Sequence, residues 1–117
     1  MKVWRQKVWR QGDVIIKLID DYSSEFKHEK QDMILAHGEV TGHAHRIIKG
    51  DAKLYADRAV TEALRNENFN RLILEITKDA ELFHEEHESI MLPPGKYEIT
   101  IQNEFDWFTQ EIRKVAD

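Results

Sequence analysis

The segment LPPGKYEITI at 92–101 leaves the chain least freedom. Pro93-Pro94-Gly95 breaks any regular element, and Tyr97, Ile99 and Ile101 then alternate with Glu98, Thr100 and Gln102. An apolar period of two places one row of side chains on one face, which requires a sheet with that face against a core. Other segments repeat the demand. Val14, Ile15, Ile16, Leu18 and Ile19 follow Gly12 and read as a buried strand. Met33, Leu35 and His37 share one strand face, Ile34 and Ala36 the other, and Gly38 and Gly42 punctuate the next few residues. HAHRIIK then resumes the alternation up to Gly50-Asp51, so 33–49 predicts a hairpin whose second strand carries His43 and His45. Leu72, Ile73, Leu74 and Ile76 form a further strand, followed by a turn near Lys78-Asp79 and by Leu82-Phe83.

Helical spacing is sparse. Ala59, Val60, Ala63 and Leu64, with Asp57 as a cap, predict a short helix or a long excursion over 57–68. The tail DWFTQEIRKVAD fits a helix capped by Asp106 with Phe108, Ile112 and Val115 on one face, and it fits a strand as well. The polar stretch from Asp20 to Asp32 reads as a loop in which His28 is solvated. The expected architecture is mainly β: an antiparallel β-sandwich or small barrel, jelly-roll-like, with one or two short helices and residues 12–117 as a single β-rich domain.

Residues 1–11 differ from the rest. They contain KVWRQ twice, at 2–6 and 7–11, and carry +4 against −9 for the remainder. A repeat of five matches neither strand nor helix, so Trp4 and Trp9 cannot both face a core through regular structure. The segment reads as a first strand with one copy docked, or as a basic arm whose Trp and Arg stack on and bind single-stranded nucleic acid. The net charge of −5 opposes a general nucleic-acid coat, which confines any such contact to this arm.

The chain has no cysteine and six histidines. Thiol chemistry, disulfides, iron–sulfur clusters and cysteine-type zinc sites are thereby excluded. P-loop, dinucleotide-binding and G-x-S-x-G patterns are missing too. There is no apolar run long enough to span a bilayer, and MKVWRQKVWR is too charged for a signal peptide, so a soluble cytoplasmic protein is expected.

Five of the six histidines lie in two windows, 37–45 and 84–87. His43 and His45, one residue apart, project from one face of a strand and can converge on an ion about 2.0–2.1 Å from each ring. A turn over Gly38–Gly42 brings His37 across from them. His84-Glu85-Glu86-His87 has its histidines at i and i+3, which excludes the HExxH zincin arrangement. The leading expectation is a metal-dependent enzyme, a hydrolase, with His37, His43, His45, His84 and His87 as ligands. The ion would be a divalent transition metal (Zn, Mn, Fe or Ni), Glu86 or Glu85 the base for water, and Arg46 the partner of a developing anion. Its substrate would be a small molecule or RNA.

Two other classes compete. A metal-independent phosphodiesterase would use the imidazoles as acid and base beside Glu85, Glu86 or Glu88, with Arg46, Lys49 or Arg71 stabilising a phosphorane. A non-catalytic binding or accessory module would use the histidines to organise a loop or a contact in a homo-oligomer.

The stretch GEVTGHAH resembles the metal-binding half-motif of the cupin superfamily, which implies His43 and His45 as ligands in a jelly roll. It departs from that pattern in having Lys49 where a Glu is wanted and in placing His84 and His87 before Pro93. GDVIIK, ILAHGEVTGHAHRI, LFHEEHESIMLPPGKYEITIQNEFD and RKVAD together resemble a group of small bacterial and phage proteins without a settled activity. That resemblance covers most of the chain from Gly12 and implies that His43, His45, His84 and His87 belong to one site.

Overall fold

A computed structural model of the chain describes residues 7–38, 42–64 and 67–102. The fold is mainly antiparallel β. In chain order the strands are β1 (Val8–Gln11), β2 (Val14–Ile19), β3 (His28–Glu29), β4 (Ile34–His37), β5 (Ala44–Ala56), β6 (Arg71–Phe83), β7 (Ile90–Leu92) and β8 (Gly95–Ile101). They form one open sheet of order β1-β2-β8-β6-β5-β3, with β4 also paired to β5 and β7 to β6.

The two 13-residue strands β5 and β6 organise the rest. One half of their ribbon carries β8 on Arg71–Ile76 and β3 on Tyr55–Ala56; the other carries β4 and β7. Between the halves the register shifts three times, from Ile47 to Ala52. Such bulges bend a strand and increase its twist. Gly50 makes the bend sterically feasible: its φ is +95°, and a Cβ there would lie 2.3 Å from the Asp79 carbonyl oxygen. The turn expected near Lys78-Asp79 is therefore replaced by continuous strand, because the turn-type residues of both strands are absorbed by bulges.

Side chains from both halves share one core. Trp9, Val14, Ile16, Leu54, Leu72, Leu74, Tyr97 and Ile99 meet Ala80, Leu82, Leu92, Leu35 and Ile47. Each large apolar side chain removed from water this way contributes about 1.5–3 kcal/mol. Trp9 meets the Tyr97 ring edge-on at 5.6 Å, so the second KVWRQ copy is a strand with Trp9 and Gln11 inward. The first copy, with Trp4, lies outside the described residues, as does the tail from Asp106.

Among the described residues of 57–68 the only helical element is a 3-10 turn, Glu62–Leu64, and the rest is the excursion. A few apolar residues at helical spacing do not stabilise an isolated helix of that length, and Phe69 anchors the segment in the core instead. Among the described residues no helix is long and apolar enough to cross a membrane.

Candidate functional site

One end of the sheet gathers the β1–β2 turn, the start of β5, the segment after β6 and the end of β8. His45 is the second residue of β5 and His84 the first after β6. Since Arg46 pairs with Phe83, the antiparallel register makes these two neighbours across the ribbon. Their ring centroids are 4.2 Å apart. His87 lies 4.8 Å from His84 and 5.9 Å from His45, and His43 lies 5.9 Å from His84. Four of the five expected ligands are thus brought together. His37 pairs with Ala44, so strand alternation does not set it directly opposite His43 or His45. It borders the same open pocket, of about 500 Å³. Its backbone N–H donates to Asn68 Oδ1 at 2.7 Å, and Asn68 Nδ2 donates back to its carbonyl at 3.2 Å. His28 sits on β3, paired with Ala56, away from this group.

Gly12 lies against the His87 and His45 rings. At φ +60° it turns β1 into β2, and a Cβ there would stand 2.8 Å from His87 Nε2 and 3.4 Å from His45 Cε1. Asp13 follows it into the pocket, with Oδ1 3.7 Å from His45 Nε2. Two donors each about 2.1 Å from one ion stand about 3.4 Å apart at the tetrahedral angle, so this pair already has nearly the separation of two ligands. Glu86 also lines the pocket, its Oε1 3.8 Å from His43 Nδ1. Among the described residues, that nitrogen and His37 Nε2 are buried without a hydrogen-bond partner. Orphaned buried polar atoms are rare enough to require an explanation, an ion or water among them.

Two of the imidazoles, His45 and His84, are held toward the neutral form. Burial first, and then the neighbouring His84, pushes His45 down from the ordinary 6.5 to about 4, against the pull of Asp13. His84 is lowered by burial and by His87. The Glu86 backbone N–H donates to His84 Nδ1 at 3.0 Å, which uses that lone pair and leaves the ring proton on Nε2. This is one physical reason why, among the described residues, no three or more His, Asp or Glu side chains have their donors placed around one ion as they stand. The residues nonetheless fit an ion in kind: nitrogen and oxygen donors only, two of the nitrogens without a hydrogen-bond partner among the described residues.

Glu85 and Arg46 engage one another. Glu85 Oε2 accepts from Arg46 Nη1 at 2.8 Å and Oε1 from the Ala44 N–H at 2.9 Å. The Ala44 N–H and the Arg46 guanidinium hold Glu85 down at about 2, so it ties β5 to the 84–88 segment as a permanent anion. Neither residue lines the pocket. Lys49 pairs with Glu81 and Arg71 with Glu98, also away from it. Among the described residues the pocket has no Lys or Arg in its lining.

Gln11, Gly12, Asp13, Asn68 and Asn70 complete the site and carry no sequence signal of their own. A polar residue in a turn or at a strand end belongs to no period, and only the doubled KVWRQ drew attention to Gln11. Its amide Nε2 donates to the Leu82 and Glu88 carbonyls, at 3.2 and 2.8 Å, and its Oε1 is 2.8 Å from His45 Nδ1.

A family model described as a domain of unknown function (DUF8820) matches residues 10–102, a span that includes every residue of the pocket. No curated protein and no solved structure matches the chain.

Proposed function

Since the chain belongs to the DUF8820 family, a domain of unknown function that carries no activity over to it, we propose from the pocket itself that the protein is a metal-dependent hydrolase. The observation that carries this reading is the convergence of imidazoles from both windows, at 4.2–5.9 Å, around a pocket with no cationic side chain in its described lining. Hydrolysis of an ester, amide or phosphodiester develops negative charge, which oriented hydrogen-bond donors or a cation stabilise. Arg46, Lys49 and Arg71 are each bound to a carboxylate elsewhere, which weighs against a metal-free phosphodiesterase.

His45 through Nε2, with Asp13 and one of His87 and His43, would hold a divalent transition ion. Three protein donors with a position left open is the usual form of a catalytic site. His87 is exposed and free to turn, whereas His84 would keep its bond from Glu86. A bound ion supplies Lewis acidity toward a substrate carbonyl or phosphoryl oxygen. Glu86, at the rim with an exposed carboxylate, is the base that takes the proton from the attacking water. The neutral His84 ring would offer its Nε2–H as a hydrogen-bond donor.

The test is a panel of ester, amide and phosphodiester substrates assayed with the untagged full chain in Zn, Mn, Fe or Ni. Turnover is expected on at least one class, abolished by chelator and reduced about 100-fold or more in Glu86→Gln. Turnover that persists in chelator, or no turnover with any ion, overturns the reading.

A further inference from the structure

The second copy of the N-terminal repeat ends in Gln11, whose side chain meets His45. Gln11 is 2 % exposed, and all of its amide is used. The two partners of Nε2, the carbonyls of Leu82 and Glu88, can only accept, so the amide cannot be turned over without facing oxygen with oxygen. The atom presented to His45 is therefore Oε1, 2.8 Å from Nδ1. An amide oxygen accepts, so the His45 proton sits on Nδ1 and the lone pair is left on Nε2, the nitrogen 3.7 Å from Asp13. Its neighbour His84 is held the other way, with Nδ1 accepting and Nε2 protonated. Two rings 4.2 Å apart thus occupy opposite tautomers, each set by a different hydrogen bond.

We propose that Gln11 is a positioning residue that sets the tautomer of His45 and so decides which of its nitrogens the pocket can use. Through the Glu88 carbonyl the same amide fastens the far end of the 84–88 segment to β1, so one side chain holds both histidine windows. The tautomer assignment stands on hydrogen-bond geometry alone; its consequence for metal binding rests on the function proposed above. Partners that orient a ligating imidazole through its second nitrogen typically change metal affinity by about 10- to 100-fold when removed.

The experiment is long-range nitrogen–proton NMR of the histidine rings in the metal-free full chain at neutral pH, paired with Zn²⁺ affinity measured by chelator competition. In the wild type His45 is expected to be protonated on Nδ1. Gln11→Leu keeps the bulk but removes the acceptor, so the Nε2–H form appears and Zn²⁺ binding weakens about 10- to 100-fold. A wild-type His45 protonated on Nε2 overturns the proposal without any variant, which covers the case of a Gln11→Leu chain that does not fold. Retention of the Nδ1–H form in Gln11→Leu overturns it too. Loss of that form in a protein that never binds Zn²⁺ supports the positioning role and removes the metal reading alone.

Discussion

Acidification should unfold this protein earlier than its carboxylates alone would require, and His45 sets the window. Its folded value of about 4 lies below the ordinary 6.5, so the unfolded chain takes up a proton that the folded chain refuses. Above pH 6.5 both states are neutral at this ring and it costs nothing. Between 6.5 and 4 stability falls with pH, and below the folded value the full difference has been lost. From the two values the loss is about 2 kcal/mol at about pH 5 and about 3 kcal/mol in total. His84 is shifted in the same direction and adds to it. For a chain of this size about 2 kcal/mol corresponds to a fall in Tm of about 8 °C. The assay is thermal or urea unfolding in chelator, comparing about pH 8 with about pH 5, for the wild type and His45→Gln. The variant has nothing to protonate at position 45, so its stability should fall by about 2 kcal/mol less over that interval. Equal slopes in the two proteins would refute the account of why His45 is neutral.

Glu85→Gln acts in a different window. The carboxylate is held at about 2 rather than 4.5, so its contribution is present above 4.5 and lost as pH falls toward 2; the variant should unfold with a shallower acid limb below about pH 4.5 and an unchanged slope above it. Gly12→Ala forces a side chain into φ +60° and against His87 Nε2, and should cost about 1–2 kcal/mol in unfolding while weakening Zn²⁺ binding, because His87 must move. Gly50→Ala meets backbone rather than a movable ring, so a larger loss of about 2–3 kcal/mol is expected from urea unfolding, with the metal site left as it was.

The alternating segments were legible because burial on one face leaves a mark at every second residue. Val14–Ile19, the 33–49 hairpin and Gly95–Ile101 all appear where the pattern predicts strand. The continuity of β5 and β6 was not legible, because Gly50-Asp51 and Lys78-Asp79 look the same at a bulge as at a turn. The convergence of His43, His45, His84 and His87 follows from one register contact, Arg46 with Phe83, which no local pattern encodes. Arg46 and Glu85 illustrate the opposite difficulty: residue types suited to chemistry are here joined to each other, so type and proximity in sequence overstate their availability. Gln11 and Asp13 depend on the β1–β2 hairpin folding back over the ends of β5 and β6, a tertiary fact with no periodic signature.

The central claim is that the histidine pocket binds a divalent transition metal, and calorimetric titration of the untagged, metal-free chain with Zn²⁺ tests it most directly. About one ion per chain is expected to bind, and the binding should be lost in His45→Ala, since His45 Nε2 and Asp13 are the donor pair already spaced for one ion. No binding by the wild type, or binding that His45→Ala leaves unchanged, would contradict it.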